Sequence, residues 1–342
     1  MPLWKVPKLA LKPSLRPVAL VLVAACFLGF NAAFALPAAA PDTVLVLLSE
    51  PGGHYRDFFE ALHRSLEQAS PGSKRLNISE LLAGPADSAA SAGYRRPDDA
   101  ALGGAKLIVA VGVQAMRAAA RWEGIPPVLN VLVPRVSYEK LLADPDNKKR
   151  PGQMSAIYLD HSLARQLNLM RLVLPGKRRI SALLGPDSAL LLPALRTASQ
   201  RSGLQLVAEE VASEAEIIPA LSRLMNSSEA FLALPDSVVF TRDTARPILM
   251  TAFRHQQPLF GFSQAYVTSG ALAAVFSTPA QIARQTAELI NALPAGRPAL
   301  PAALYPEYFS VAVNRSVARA LGFDIAADAL LREALMALPE NK

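Results

Sequence analysis

Short apolar runs alternate with segments of helical periodicity along most of the chain. Runs at 43–48 and 107–111 each end at a loop rich in glycine or polar residues, and helical spacing follows each loop. A third apolar run lies at 127–133. Apolar runs of this length, without polar alternation, are typical of parallel strands covered by helices on both faces. The pattern therefore predicts an α/β fold.

A polar segment at 144–152 interrupts this alternation and separates two sets of strands and helices. The second set contains apolar runs at 156–159, 180–184, 204–207, 230–234, 258–262 and 271–275. Each set is long enough to bury its own core. We expect two Rossmann-like lobes with parallel sheets, joined by a hinge near residue 150. The expected bounds are 42–150 for the N-terminal lobe, 151–275 for the C-terminal lobe and 276–342 for a segment crossing back. Alternatively, 144–152 is a surface loop inside one domain.

Residues 1–35 have the composition of an export signal. Four basic residues and no acidic residue precede an apolar run at 17–30, and Ala33-Phe34-Ala35 follow shortly after that run. A basic region, an apolar region and small residues at the exit are the three parts of a secretory signal. We expect cleavage after Ala35 and a periplasmic location. Two alternatives are a lipoprotein signal, with lipid anchoring through Cys26, and an uncleaved membrane anchor.

Cysteine content and charge exclude several classes of function. Cys26 is the only cysteine, so a chain cleaved after Ala35 has no disulfide, no thiolate nucleophile and no cysteine-ligated metal. Removing the four positive charges of the signal from the formal net charge of +7 leaves +3. No basic stripe with interleaved aromatic residues is present, so nucleic-acid binding has no support.

The sequence contains none of the common catalytic or nucleotide-binding motifs. The four histidines form no zinc-protease pattern, and there is no nucleophile elbow, phosphate-binding loop or dinucleotide fingerprint. No nucleophile can be paired with a base from the residues alone. We therefore predict no catalytic residue, no metal site and no cofactor.

Loops that follow the apolar runs are the candidate ligand-binding positions. Open parallel sheets bind ligands beyond the carboxyl ends of their strands, where helix N-termini present free N–H groups. Some of these residues have a structural alternative, since Asp and Ser are good helix caps and a loop tyrosine often packs in a core. The predicted ligand-binding residues are Ser49, Gly112, Gln114, Ser137, Asp187, Ser188, Asp236, Ser263, Tyr266 and Gly270.

Residues 42–325 resemble the ABC-transporter substrate-binding protein family, whose characterised relatives bind tryptophan or tyrosine. The likeness is strongest at 234–240, 258–267, 270–274 and 308–314, and weaker at 109–112. It implies a periplasmic-binding-protein type I fold, with a cleft between two lobes. It also implies ligand contacts at Gly112, Asp236, Ser263, Tyr266 and Gly270. The chain departs from the Thr-Pro-Ala turn common in relatives, having Val113-Gln114-Ala115 instead.

These features favour a monomeric, non-enzymatic binding protein. We expect it to capture a small ligand, an amino acid or another carboxylate, and to deliver it to an ABC permease. The first alternative is a periplasmic sensory module coupled to a kinase or receptor, which would use the same fold. The second is a hydrolase of small substrates, which would need an acid–base set that the sequence does not reveal.

Overall fold

Two β-sheets flanked by helices make up the body of the protein. The computed structural model describes residues 43–69, 77–82, 102, 105–145, 147, 152–294 and 298–340. The first sheet is parallel, in the order β2-β1-β3-β4-β5, and consists of β1 (Thr43–Leu48), β2 (Asn77–Leu82), β3 (Ala105–Val111), β4 (Val128–Val133) and β5 (Met154–Tyr158). The signal peptide predicted at 1–35 lies outside the described residues, and the part from Pro41 to Lys342 forms one compact unit.

The second sheet has the order β11-β10-β9-β8-β6-β7. Its strands are β6 (Arg179–Leu184), β7 (Gln205–Glu210), β8 (Ala230–Leu232), β9 (Leu259–Gly261), β10 (Ala273–Phe276) and β11 (Ser310–Val313). β11 pairs antiparallel with β10, and the other pairs are parallel. The expectation of an α/β chain with two largely parallel sheets is confirmed.

Helices cover these sheets on both faces. In chain order they are α1 (Gly53–Ala69), α2 (Val113–Arg121), α3 (Arg135–Ala143), α4 (Leu163–Val173), α5 (Leu192–Arg201), α6 (Ile217–Ser227), α7 (Arg242–Arg254), α8 (Gln264–Ser269), α9 (Pro279–Ala292), α10 (Arg315–Ala320) and α11 (Asp328–Ala337). Short 3-10 helices lie at Ser188–Leu191 and Glu214–Glu216.

β1 shows why its sequence is apolar at every position. Val44, Val46 and Leu48 pack in one core cluster with α1, and Leu45 and Leu47 pack in another with α2. Successive side chains of a strand point to opposite faces, so a strand with helices on both sides needs apolar residues throughout. β3 and β4 are also buried at every position, and they are apolar except at Lys106 and at Asn130, whose Nδ2 donates to the Ser155 carbonyl at 2.8 Å.

The chain leaves the first sheet later than the sequence suggested. The polar segment 144–152 leads from α3 to β5, and β5 pairs with β4 in the first sheet. The predicted hinge near 150 and the predicted lobe boundary at 150/151 therefore precede the last strand of that sheet. β5 is buried at all five positions, and its residues pair with those of β4 in the first sheet. The division of the chain into separate domains, with bounds for each, remains a prediction.

Three segments, 159–162, 277–278 and 305–309, connect the two lobes, and we call them the crossing segments. The first joins β5 to α4, and the second joins β10 to α9, which packs against α1 of the first lobe. The third leads from Leu304, which is bridged to Ile157 of β5, into β11 of the second sheet. The chain therefore crosses three times, and residues after 276 contribute to both lobes.

A buried network holds the crossing segments together. The Arg165 guanidinium donates to the Pro306 carbonyl at 2.7 Å, and its other side pairs with Glu340 near the end of the chain. Arg165 also donates to His161 Nδ1 at 2.7 Å, so the His161 proton resides on Nε2, which faces Ser277 Oγ at 3.2 Å. Side chains from α4, the crossing segments and the C-terminal tail thus share one set of hydrogen bonds.

Candidate functional site

A cleft of about 750 Å³ lies between the two lobes. Its walls come from the ends of β4, β6, β8 and β9 and from the helices that follow β3 and β4. These ends are the carboxyl ends of parallel strands, where open α/β sheets bind ligands. The volume falls within the range of about 300–1,000 Å³ that is typical of small-molecule sites.

The first lobe contributes two helix faces to the cleft. Arg117 and Arg121 lie one turn apart on α2, and Ser137 and Lys140 lie one turn apart on α3. Residues spaced by three or four share one face of a helix, which is why these side chains converge on the same space. This wall is basic.

The second lobe contributes the loops after β6 and β8, which Asp236 joins. Its Oδ2 accepts from the N–H groups of Asp187 (3.0 Å) and Ser188 (2.8 Å) and from Ser188 Oγ (2.9 Å). Its Oδ1 accepts from the N–H groups of Val238 (2.9 Å) and Val239 (3.1 Å). Five donors thus occupy both oxygens of a side chain that is only 7% exposed. Asp236 lines the cleft, but its carboxylate is committed to fixing the two loops.

Close packing around Asp236 also explains why residue 185 is a glycine. A Cβ atom at Gly185 would lie 2.2 Å from Asp236 Oδ1, so no larger residue fits where β6 ends. The Gly185 N–H donates to Ser188 Oγ at 2.9 Å. Ser188 is fully buried beneath the cleft, where it orders the loop.

Asp187 links the two walls of the cleft. Its Oδ1 accepts from the Lys140 ammonium of α3, and its Oδ2 accepts from the N–H group (3.2 Å) and the hydroxyl of Ser237. Burial by itself would raise the pKa of Asp187, but the hydrogen bonds from Lys140 and Ser237 outweigh it and hold the pKa below its ordinary value. The pair connects the first lobe to the second across the cleft.

An aromatic cluster lies at the second wall. The ring centroids of Phe240 and Phe262 are 5.8 Å apart in an edge-to-face arrangement, and both side chains line the cleft. Tyr266 packs behind them, with its centroid 6.0 Å from Phe240 and 5.0 Å from Phe262. Its buried hydroxyl has no hydrogen-bond partner in the described part of the chain, and burial raises its pKa. Ser263 caps α8 by accepting the Tyr266 N–H at 3.2 Å.

Ser49 and Gly112 lie behind the cleft, at the start of α2. Ser49 Oγ accepts the Ala115 N–H at 3.0 Å, so it caps the helix from a distant strand end. Gly112 has a φ of +88°, and a Cβ there would lie 2.6 Å from Ser49 Oγ. Glycine is required at this position by both its backbone conformation and the close approach. Gln114 is exposed on α2.

The structure brings some of the predicted ligand residues together and separates others. Ser137, Asp187 and Asp236 line the cleft. Gly270 lies in a different groove, between α7 and α10, together with residues such as Phe253. The remaining predicted residues, which do not line the cleft, are Ser49, Gly112, Gln114, Ser188, Ser263 and Tyr266. Their roles as ligand contacts stay predictions.

Sequence reasoning missed the helix faces and the aromatic side chains of the cleft. Arg117 and Arg121 recur at helical spacing directly after a strand-end loop, so the signal was present for α2. Phe240 and Phe262 lie in the segments of resemblance at 234–240 and 258–267 but were not singled out. Lys140 had no comparable signal, because the placement of one lobe against the other brings it to this space.

Within the described ranges, no group of three or more metal-ligating side chains comes together. Likewise, no helix there is both long enough and apolar enough to span a membrane.

Comparisons with known proteins agree with this architecture. The ligand-free, open structure of CD0873, a substrate binding protein with adhesive properties from Clostridium difficile, superposes with a TM-score of 0.60 at 16% identity, covering 84% of this chain and 97% of the other. An ABC domain in complex with L-Trp from Streptococcus pneumoniae gives a TM-score of 0.57 at 17% identity, covering 85% and 98%. A conserved domain protein from Vibrio cholerae gives 0.56 at 18% identity, covering 86% and 98%.

These similarities confirm the expected type I periplasmic-binding-protein fold. Among curated proteins, none matches the chain. The profile of the family described as ABC transporter substrate binding protein matches residues 105–336, which include most of both sheets and the described walls of the cleft. The chain therefore belongs to the ABC transporter substrate-binding protein family.

Proposed function

We propose that this protein is exported to the periplasm, captures a small organic solute between its lobes and delivers it to an ABC importer. The observation that carries the proposal is the cleft, whose two walls come from different lobes. A solute that contacts both walls binds the closed arrangement better than the open one, so binding draws the lobes together. The importer can then distinguish the loaded protein from the empty one by its shape.

The crossing segments support this motion. Hinges are usually a few residues at the ends of elements, and here each connection spans only two to five residues, at 159–162, 277–278 and 305–309. Each lobe has its own sheet, and the core clusters follow the lobes except that Val136 of α3 packs with the second lobe, so each lobe can move as a unit around these connections.

The residues of the cleft support binding without turnover. The described lining contains no histidine and no glutamate, and the carboxylate of Asp236 is occupied by five donors. A general base needs a free acceptor within reach of the substrate. The bound L-Trp of the pneumococcal relative supports an amino acid or another small carboxylate as the ligand class here.

Two experiments test the proposal. Isothermal titration of the full chain against a panel of amino acids and organic acids should identify a solute, and small-angle X-ray scattering should show a smaller radius of gyration with that solute bound. A strain lacking the gene should lose uptake of the same solute. Silence across a broad panel, or unchanged uptake in the deletion strain, would count against solute capture for transport.

The export part of the proposal has its own measurement. N-terminal sequencing of the protein from a periplasmic extract should begin at Leu36. Recovery in a membrane fraction, with lipid on Cys26, would replace this with the anchored alternative.

A further inference from the structure

The basic wall of the cleft contains two cationic groups that have no counterion among the described residues. The guanidinium groups of Arg117 and Arg121 lie at i and i+4 on α2 and line the cleft. Both residues are exposed, and neither side chain forms a hydrogen bond or ion pair with a residue that the structure describes. Two forked donors on one helix face form a suitable site for a carboxylate or phosphonate, which guanidinium groups bind through paired, charge-assisted hydrogen bonds.

The carboxylates of two acidic residues in the same cleft are engaged by other groups of the protein. Asp236 accepts five hydrogen bonds from its own loops, and Asp187 accepts from Lys140 and Ser237. Asp144, at the end of α3, also has an interaction partner. A ligand ammonium therefore finds the carboxylates of Asp187 and Asp236 already occupied by donors of the protein. This asymmetry favours a ligand with net negative charge over a zwitterion of the same shape.

Part of the opposite wall, beyond Asp187, Asp236 and Ser237, is apolar and aromatic. Phe240 and Phe262 stand edge to face at 5.8 Å, next to Pro235, and they belong to the second lobe. A planar or apolar ligand body gains contact area and ring–ring attraction against such a pair. The acid-binding helix face and the aromatic pair are on different lobes, so a ligand that satisfies both must bridge the cleft.

Resting on the proposed solute capture, we propose that the ligand is an organic anion with an aromatic body and no compensating ammonium group. Its acid group binds Arg117 and Arg121 of the first lobe, and its ring packs on Phe240 and Phe262 of the second. Lys140 remains in its pair with Asp187 and closes one side of the cleft.

The test uses four probes that share a phenyl ring and differ in charge: phenylsuccinate, 3-phenylpropionate, phenylalanine and phenethylamine. Titration of the full chain should rank affinity in that order, with phenylalanine at least about tenfold weaker than 3-phenylpropionate. Arg117→Gln and Arg121→Gln should each weaken binding of the acids about tenfold or more, because each removes a charge-assisted contact. Arg196→Gln, an exposed arginine on α5 away from the cleft, is the matched control and should leave affinity unchanged.

Thermal unfolding of all three variants should match that of the parent, which separates lost contacts from lost folding. Tighter binding of phenylalanine than of 3-phenylpropionate would overturn the proposal, as would full affinity in both cleft variants. In either case solute capture itself would stand, since a ligand would still bind. Absence of binding by all four probes, with a different solute bound in the broader panel, would also reject the anionic aromatic ligand. No binding by any solute would instead reject the proposed function.

Discussion

The Asp236 carboxylate has a structural role that its place in the cleft does not reveal. Replacing it by asparagine turns one acceptor into a donor, which then faces N–H groups that need an acceptor. We expect Asp236→Asn to lower the free energy of unfolding by about 2–4 kcal/mol, since buried donors would lose their partner. Urea unfolding measures the change, with the exposed Asp243→Asn as the control. Unchanged stability together with a loss of ligand affinity would show that the carboxylate contacts ligand.

A second residue prediction concerns pH. Burial raises the pKa of Asp160 to about 6, against the opposing effect of the Arg135 N–H, which donates to Oδ1 at 2.8 Å. Between the unfolded pKa near 4 and the folded value, the folded chain binds more protons, so its stability falls as pH rises through this window. Asp160→Asn removes this dependence and should gain about 2–3 kcal/mol over the parent at pH 7, and little at pH 4.

The Asp160 prediction is checked by denaturant unfolding at pH 4, 5, 6 and 7. His161, its neighbour, acts in the opposite direction: burial and then the Arg165 charge lower its pKa to about 3, so it reduces stability as pH falls from about 6.5. Comparing variant with parent at each pH cancels the His161 contribution. Equal differences at pH 4 and pH 7 would rule out a raised pKa for Asp160.

Gly112 and Tyr266 have structural roles that the sequence did not indicate, while their roles as ligand contacts stay predictions. Both were predicted as ligand contacts from their positions after strands. In the structure, Gly112 is required by its positive φ and the nearby Ser49, and Tyr266 is a buried member of an aromatic cluster. A glycine or a tyrosine directly after a strand often has a particular role. The packing around it determines whether that role lies in the backbone conformation, in the core or in ligand contact.

At the level of elements, the C-terminal tail stabilises the connections between lobes. Arg165 and Glu340 form an ion pair whose side chains are only 8% and 14% exposed. Glu340→Gln leaves the Arg165 charge buried with a weaker partner, so we expect a loss of about 3 kcal/mol in the free energy of unfolding. Asp328→Asn is the matched control, because its pair with Arg315 is 43% exposed on both sides and should cost under about 1 kcal/mol. Equal effects of the two changes would mean that the tail does not stabilise the crossing segments.

The helices show which elements local sequence specifies. α2 follows a strand and a glycine turn, and its periodicity was visible in the sequence. α3 was not predicted, because the N–H at its first residue, Arg135, is capped by Asp160, which lies 25 positions further along the chain. β2 was missed as well. Elements that depend on long-range partners leave a weak local pattern.

At the scale of the whole molecule, the pair between Lys140 and Asp187 connects the lobes. Lys140→Gln should shift the ligand-free protein toward a more open arrangement, seen as a larger radius of gyration by X-ray scattering. The side chains are 44% and 27% exposed, so the pair contributes at most about 1 kcal/mol and should weaken in high salt. Lys177→Gln, which breaks a similarly exposed pair with Glu229 inside the second lobe, is the control.

The same bridge has a defined pH dependence. The pKa of Asp187 is held below its ordinary value of 3.8, so the charged pair persists from neutral pH down to that region. Its contribution is lost as pH falls through the lowered pKa. The radius of gyration of the parent should therefore stay constant between pH 7 and pH 5. A change within that interval that is absent in Lys140→Gln would contradict the assignment.

The sequence by itself determined the fold class, the two sheets and the loops that line part of the cleft. Buried parallel strands are apolar at nearly every position, and strand ends need turn residues, so both leave local signals. Only the tertiary structure decided where the chain crosses between lobes and which side chains face the cleft. Arg117, Lys140, Phe240 and Phe262 meet across space because two lobes are placed against each other. That placement depends on contacts between residues far apart in the chain, which no local pattern encodes.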